Sequence, residues 1–272
     1  MAVIICNCHS RFDYGGQQRM KKQKMSLLRR YSTLWVTIGL LALYELATKV
    51  GWLDTFLFPS IETLIKMVPD YAGTLVENLI GSFSLLIPGL AIAATLGIAL
   101  GVSMGLGREL HRTMNPIFNA ISPLPATLLT PYAIHIFESF KSASIFIIAF
   151  GSFWPIFNAT MNGVMTIDKR YLDKAFVIEL TWWRKLTKVV LPAAAPTILS
   201  GMITAMRSSF ILLVVAEMYG VNSGMGYFVQ RYSTMGSFNQ TALGFVVLSL
   251  ALVLFLQIFE QIKKRVLHWT ID

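Results

Sequence analysis

The stretch FSLLIPGLAIAATLGIALGVSMGL, from Phe83 to Leu106, contains no charged side chain. A helix rises about 1.5 Å per residue, so about 20 apolar residues cross the roughly 30 Å of hydrocarbon in a bilayer. A helix also satisfies its own backbone hydrogen bonds, which an open strand in lipid cannot do. We therefore predict a membrane-spanning helix over this stretch.

Five further apolar stretches have a similar length and composition. With the first stretch they predict about six transmembrane helices in an all-α membrane protein. Of the 272 residues, 55% are hydrophobic and 14% are charged, and the mean hydropathy is +0.61, which is too apolar for an ordinary soluble domain. The five stretches are residues 34–50, 117–137, 143–165, 193–219 and 242–262.

The basic residues indicate the sidedness of the chain. The net charge is +9, but the cations do not form one surface stripe, which argues against binding to nucleic acid. They precede the first predicted crossing, follow the second and the sixth, and lie between the fourth and the fifth. The positive-inside rule places all of these segments in the cytoplasm if both termini are cytoplasmic, as an even number of crossings allows. The residues are Arg19, Lys21, Lys22, Lys24, Arg29, Arg30, Arg108, Arg112, Lys169, Arg170, Lys174, Arg184, Lys185, Lys188, Lys263, Lys264 and Arg265.

No internal repeat or low-complexity linker divides the chain, so we predict one membrane domain. Before the second crossing, Ser60 is expected to cap a short helix along the outer membrane interface. The predicted parts are a basic cytoplasmic N-terminal tail (1–30), the first crossing with the interfacial segment (31–78), a core (79–265) that includes the cytoplasmic loop 167–192, and a C-terminal tail (266–272).

Residues that support metal binding or catalysis are not grouped along the sequence. Cys6, Cys8 and His9 make half of a metal site whose second half is missing, so we expect neither a metal nor a disulfide framework. The sequence also lacks a Gly-x-x-x-x-Gly-Lys-Ser/Thr loop, which would hold the phosphates of ATP. Any ATP hydrolysis must therefore take place in another subunit.

Small residues recur every four positions in the second predicted crossing, at Ala93, Gly97, Gly101 and Gly105. This spacing puts them in one row, along which another helix backbone can approach closely. The row predicts tight packing, either within the chain or at the seam of a dimer.

Three prolines, Pro123, Pro125 and Pro131, interrupt the third predicted crossing. Each removes a backbone donor and disfavours helix at the residue before it. Irregular backbone at membrane depth is tolerated where it is buried in protein or lines a watery cavity. The segment is therefore expected to border a solute path or to form a kink used for packing.

Two charged residues lie within or at the end of the fifth predicted crossing, Arg207 and Glu217. Insertion of a charge at the centre of a membrane helix costs about 2.5–3.5 kcal/mol. The two residues are ten positions apart and therefore about 80° apart around the helix axis, so each is expected to find a partner on another helix. Both residues are candidates for the translocation path, where Arg207 could attract an anionic solute. A structural ion pair, or an interfacial position for Glu217, is the alternative.

The loop from Ile167 to Pro192 is longer and more charged than a connector requires, and its apolar spacing predicts two short helices. Thr181 is the expected N-cap of the second helix. These amphipathic helices could lie on anionic lipid or seat in a groove of a partner protein. The apolar positions are Leu172, Ala175 and Phe176 in the first helix and Trp182, Leu186, Val189 and Val190 in the second.

This loop resembles the EAA signature of the permeases of binding-protein-dependent ABC importers. The residues that match its spacing are Tyr171-Leu172-Asp173-Lys174-Ala175, Glu179 and Val189-Val190-Leu191-Pro192. In that family the loop forms the coupling helices that fit a cleft on the ATPase. The resemblance therefore implies ATPase-coupling positions at Asp173, Lys174, Ala175, Glu179, Leu186, Leu191 and Pro192.

Three positions depart from the family's pattern. Asp173 replaces a glutamate, Lys174 replaces an alanine, and Glu179 replaces a glycine. Glycine permits a turn with positive φ that glutamate adopts only at a cost. The departures therefore put the docking geometry of this loop in question.

Other segments resemble the nitrate, sulfonate, taurine and bicarbonate branch of the same family, and the resemblance covers roughly residues 55–269. It implies a type I importer permease bundle in the plasma (inner) membrane that works by alternating access as a homodimer. It further implies cytoplasmic ATPase subunits that bind ATP and magnesium, an extracytoplasmic solute-binding protein, and a small, often anionic solute, though some relatives import pyrimidine-type vitamin precursors. The segments are Phe58-Pro59-Ser60, Gly101 to Arg108, Val215-Ala216-Glu217-Met218 and Ser223-Gly224-Met225-Gly226-Tyr227.

Two other classes of function remain as alternatives. An ion-gradient-driven secondary transporter usually shows an internal inverted repeat, and an intramembrane enzyme needs clustered nucleophiles or ligands. Neither feature is visible in the sequence. We therefore expect a transport subunit that is not itself an enzyme.

Overall fold

The computed structural model describes residues 35–220 and 222–267, and the regular structure in these ranges is entirely helical. The predictions for the tail 1–30, including Cys6, Cys8 and His9, lie outside the described residues, as does most of the tail 266–272. The helices are α1 (35–49), α2 (Ile61–Leu106), α3 (Arg108–Ile121), α4 (Thr130–Ile136), α5 (Phe140–Met165), α6 (Lys169–Val177), α7 (Trp182–Lys185), α8 (Leu191–Gly220), α9 (Met225–Thr234) and α10 (Phe238–Val266).

The described residues fall into two compact units, which divide between Ile65 and Lys66. In the first unit, two side chains of α1 make hydrogen bonds to the residues that follow this helix. The Tyr44 hydroxyl donates to the Pro59 carbonyl over 2.9 Å, and the Glu45 carboxylate accepts from the Ile61 N–H over 2.9 Å. The Ser60 hydroxyl accepts from the Thr63 N–H over 3.3 Å, which confirms Ser60 as an N-cap.

The helix that Ser60 begins is not a separate interfacial helix. It is the start of α2, which continues for 46 residues to Leu106 and therefore contains the stretch predicted as the second crossing. The polar residues between the two predicted segments do not end the helix, because Asn78 and Ser82 are buried and hydrogen-bonded in the second unit.

In the second unit, the row of small residues on α2 packs against α5 of the same chain. A Cβ added at Gly101 would lie 2.7 Å from Cβ of Thr160, and one added at Gly105 would lie 2.7 Å from Cβ of Val164. The two backbones approach closely only because both positions lack a side chain. This confirms the intrachain alternative for the row.

The third predicted crossing is not one continuous helix. It is divided among α3, a 3₁₀ turn at Ala126–Leu129 and α4. The break falls at Pro123 and Pro125, which cannot donate to a helical hydrogen bond, whereas Pro131 lies in the first turn of α4, where no such donor is needed.

Four helical segments are long and apolar enough to cross a membrane among the described residues: Ile61–Leu106, Phe140–Met165, Trp182–Tyr219 and Phe238–Val266. They contain the second, fourth, fifth and sixth predicted crossings. The first predicted crossing corresponds to α1, whose sequence neighbours on the N-terminal side lie outside the described residues. The structure is thus the all-α membrane bundle that the sequence predicts.

Candidate functional site

The loop between α5 and α8 forms two short helices, as predicted; residues 167–192 are named the coupling segment below. α6 begins after Asp168, whose carboxylate accepts from the Arg170 N–H over 2.9 Å. α7 begins after Thr181, whose side chain makes no capping hydrogen bond. α7 continues through a π-helical turn at Leu186–Val190 into α8, so residues 182–219 form one helical segment.

The turn between the two helices is a left-handed C-cap centred on Glu179. The Leu180 N–H donates to the Ala175 carbonyl over 3.1 Å, and the Glu179 N–H donates to the Phe176 carbonyl over 3.0 Å. Glu179 has φ +49°, and no other non-glycine residue among those described has positive φ. This motif usually takes glycine at that position, so the turn keeps its geometry although glutamate replaces glycine.

The inner face of the coupling segment packs on the bundle. Ala175 is 2% exposed, and Leu172 and Leu186 pack against a core cluster that includes Val190. Leu191 and Pro192 are half-buried at the start of α8. These predicted coupling residues therefore attach the coupling segment to the rest of the bundle.

The outer face of the coupling segment is apolar and exposed. Phe176, Val177 and Trp183 are 81%, 78% and 72% exposed, and Asp173, Lys174 and Glu179 are exposed beside them. The helical spacing had singled out Phe176 but not Val177 or Trp183. A groove of ≈ 590 Å³ opens here, lined by Ala175, Phe176, Val177, Glu179, Leu180, Trp182 and Lys185.

The proline-interrupted segment borders a second cavity, of ≈ 720 Å³, against the far end of α8. Pro131 lies in its wall, whereas Pro123 and Pro125 do not. The buried Thr130 hydroxyl in the same wall has no hydrogen-bond partner among the described residues. The lining residues are Thr127, Leu128, Thr130, Pro131, Ile134, His135, Val215, Met218 and Tyr219.

Arg207 is not part of this cavity. Its side chain is 64% exposed on the single chain, and its Nη2 lies 3.8 Å from Oε1 of Glu260 on α10. The expectation of a partner on another helix is confirmed for Arg207. At 100° per residue, Val215, Met218 and Tyr219 lie about 80°, 20° and 120° from Arg207 around the axis of α8, so of these cavity residues Met218 is the one on the same face as Arg207.

Glu217 lies inside the bundle, with 0% exposure, and does not line the cavity. Its Oε2 accepts from the N–H of Gly226, at the start of α9, over 2.6 Å. Asn78 and Ser82 on α2 accept from the two preceding backbone amides. Sequence reasoning missed these two side chains; the available signal was a pair of polar residues four positions apart in an apolar helix.

No group of three His, Cys, Asp or Glu residues that could hold a metal ion occurs in the described part of the chain. Long apolar helices with an amphipathic helical segment at one end define a multi-pass membrane protein that exposes an apolar surface on that segment.

The comparisons with known proteins give the family. Residues 93–267 match the binding-protein-dependent transport system inner membrane component family, and the chain belongs to this family. It is the permease subunit of an ABC importer, a multi-pass protein of the inner membrane, and a transport subunit rather than an enzyme.

Two curated relatives cover most of the chain. A protein of Bacillus subtilis (strain 168), SsuC, whose name describes an aliphatic sulfonates transport permease, is 25% identical over 232 residues, 85% of this chain and 84% of the relative. The protein of the same name in Escherichia coli (strain K12) is 32% identical over 203 residues, 74% and 77% of the two chains. The nitrate import permease protein NrtB of Leptolyngbya laminosa is 29% identical over 178 residues, 65% and 64% of the chains.

A solved structure shows the same fold. A chain of the MetNI methionine ABC transporter in an inward-facing conformation superimposes with a TM-score of 0.63 at 18% identity, covering 72% of this chain and 98% of the other. This superposition shows that the protein has the type I importer permease fold.

Proposed function

We propose that this permease moves a small anion of the nitrate, sulfonate, taurine or bicarbonate type across the inner membrane by alternating access, driven by an ATPase that engages the coupling segment. The observation that supports this most directly is the exposed apolar outer face of that segment. Phe176, Val177 and Trp183 expose large apolar side chains next to a groove lined in part by Glu179 and Lys185. An exposed apolar patch beside charged residues is typical of a protein interface.

The proposed coupling residues divide into two groups. Asp173, Lys174 and Glu179 are exposed and would meet the ATPase directly. The others, Ala175, Leu186, Leu191 and Pro192, are buried or half-buried and would transmit the force to α8. This division follows from burial, because only exposed side chains are available to a partner that docks from outside.

The proposal includes the other members of an importer. ATP and magnesium would be bound by the cytoplasmic ATPase subunits, and a solute-binding protein would deliver the solute at the opposite end of the bundle. We further propose a permease homodimer embedded in lipid, with both termini in the cytoplasm. The basic residues near the coupling segment and at the end of α10 support this orientation.

The proposed solute path follows the exposed side of α8. That side carries Arg207 and contributes Met218 to the cavity at Pro131. Irregular backbone at membrane depth, such as the interrupted stretch that contains Pro123 and Pro125, is expected beside water or buried protein. A guanidinium on this side would raise the local concentration of an anion.

The docking proposal is tested with two tryptophans of similar exposure. Trp183 in the coupling segment is 72% exposed and Trp52 is 81% exposed. Trp183→Ala should lower the affinity for the cognate ATPase at least about 30-fold, since a central aromatic residue at an interface contributes about 2 kcal/mol or more. Trp52→Ala is the matched control and should leave the affinity unchanged.

The measurement is binding of the detergent-solubilised permease to purified ATPase, followed by ATP-dependent uptake in proteoliposomes. Unchanged ATPase affinity in Trp183→Ala would contradict docking through the outer face. If the same substitution instead weakens retention of anionic lipid by the permease alone, the segment lies on the membrane surface.

A further inference from the structure

Three consecutive backbone amides at the start of α9 each donate to a side chain from another helix. The first N–H groups of a helix have no partner within the helix, and here they are satisfied by residues that are distant in sequence. The pairs are Gly224 N–H to Asn78 Oδ1 at 2.9 Å, Met225 N–H to Ser82 Oγ at 2.9 Å and Gly226 N–H to Glu217 Oε2 at 2.6 Å. These six residues are named the α9 clasp.

The clasp has room for the Glu217 carboxyl because two residues around it are glycines. A Cβ at Gly224 would clash with Oε1 of Glu217, and one at Gly226 would lie 2.9 Å from Oε2. Gly224 also has φ +123°, a backbone angle that residues with a side chain rarely adopt. The other oxygen, Oε1, is buried and has no hydrogen-bond partner among the described residues, so Oε2 alone joins the carboxyl group to α9.

The clasp joins three helices. Asn78 and Ser82 are on α2, Glu217 is on α8, and the donors begin α9. α8 belongs to the helical segment 182–219. Glu217 lies near the C-terminal end of this segment, and its N-terminal end, at Trp182, is part of the coupling segment 35 positions away. A rigid connection between α8 and α9 would therefore bring a displacement of the coupling segment to the opposite end of the bundle.

We infer that Glu217 is a positioning residue: with Asn78 and Ser82 it fixes α9 to α2 and α8, so that movement begun at the coupling segment reaches α9. This inference rests on the proposed function, because it requires an ATPase that drives the coupling segment. Glu217 itself lines neither the groove nor the cavity, so its effect on transport is indirect.

The first experiment measures solute moved per ATP hydrolysed by the reconstituted importer, with labelled taurine, ethanesulfonate, nitrate and bicarbonate as probes. Glu217→Ala should lower this ratio about tenfold, the effect of leaving one buried donor, the Gly226 N–H, without its acceptor, while ATP hydrolysis stays within about twofold of the parent. Glu77→Ala is the control, because Glu77 is an exposed carboxylate next to Asn78 on α2. A parent-like ratio in Glu217→Ala would overturn the inference.

The second experiment separates transmission from folding. In a Cys6→Ser/Cys8→Ser background, spin labels at the exposed Ser142 and Ser233 report the distance between the start of α5 and α9. ATP with vanadate should change this distance in the parent protein and leave it unchanged in Glu217→Ala that still hydrolyses ATP. An equal change in both proteins would contradict a role for the clasp.

Two further outcomes are distinguishable. If Glu217→Ala does not assemble with the ATPase, Ser82→Ala replaces it, since this change removes one acceptor and only one oxygen atom. A ratio like that of the parent in Ser82→Ala then overturns the inference. If the parent protein itself shows no ATP-dependent uptake of any probe, the proposed function fails, whatever the variants do.

Discussion

Glu179 shows how a single residue can keep a turn that its chemistry disfavours. A left-handed conformation costs a residue with a side chain about 1 kcal/mol relative to glycine, yet the hydrogen bonds of the C-cap are complete. The turn is therefore determined by packing on the bundle, through Ala175 in α6 and Leu186 at the start of the π-helical turn, and not by the residue at its centre.

Glu179→Gly should accordingly stabilise the permease, because it relieves the strain at φ +49°. The expected gain is about 1 kcal/mol, or a rise of about 2–4 °C in the unfolding temperature of the purified protein. The control is Ile178→Gly, at an exposed neighbour with φ −88°, which should lower the temperature by increasing the freedom of the unfolded chain. A fall in the unfolding temperature as large as that of Ile178→Gly would contradict strain at Glu179, since both glycines add similar freedom to the unfolded chain.

At the scale of single elements, glycines in α2 have different roles according to what they face. Gly101 meets Thr160 of α5, whereas a Cβ added at Gly73 would meet nothing within 4 Å. Gly101→Ala should destabilise the bundle by about 1–3 kcal/mol through overpacking. Gly73→Ala in the same helix should be neutral or stabilising by up to about 1 kcal/mol, because alanine favours helix.

Thermal unfolding of the two alanine variants in one detergent checks this prediction. Equal unfolding temperatures would show that α5 can retreat from Gly101 without loss. A lower temperature only in Gly73→Ala would show that this face of α2 is covered in the folded protein.

What the sequence predicts well is periodic and local. The row at Gly97, Gly101 and Gly105 and the cap at Ser60 follow from spacing within one helix, and the structure has both. The α9 clasp could not be predicted in this way, because Asn78 and Gly224 are 146 positions apart. The break in the third crossing was visible as prolines, but proline content alone does not show whether a helix bends or ends.

The coupling segment could also be predicted only as far as its local helical spacing allows. Its helical spacing placed Leu172, Ala175 and Leu186 on apolar faces, and these residues pack inward. Phe176 and Trp182 were placed on the same faces but are 81% and 58% exposed. The exposed apolar residues Val177 and Trp183 were not distinguished, because an amphipathic pattern does not state which face the bundle covers. The contacts of Ala175 and Leu186 with the bundle, which are visible only in the structure, show which face is covered.

At the scale of the whole molecule, the function of Arg207 depends on whether its charge serves the fold or the solute. Its contact with Glu260 is long, at 3.8 Å, and both side chains are partly exposed on the single chain, at 64% and 39%. Exposed ion pairs contribute only about 0–1 kcal/mol. A purely structural role therefore predicts a small effect of Arg207→Gln, whereas an anion-attracting role predicts a large one.

Exchange of the two charges separates these roles. We expect Arg207→Gln to lower uptake of the transported anion about tenfold or more and Glu260→Gln to change it by less than about threefold, since loss of a carboxylate leaves the guanidinium in place. The double variant Arg207→Glu/Glu260→Arg keeps an ion pair but places a carboxylate on the exposed side of α8. Its uptake should stay as low as that of Arg207→Gln, with unchanged ATPase binding and unfolding temperature. Recovery of parental uptake in the exchanged protein would assign the pair to the fold and remove Arg207 from the proposed path.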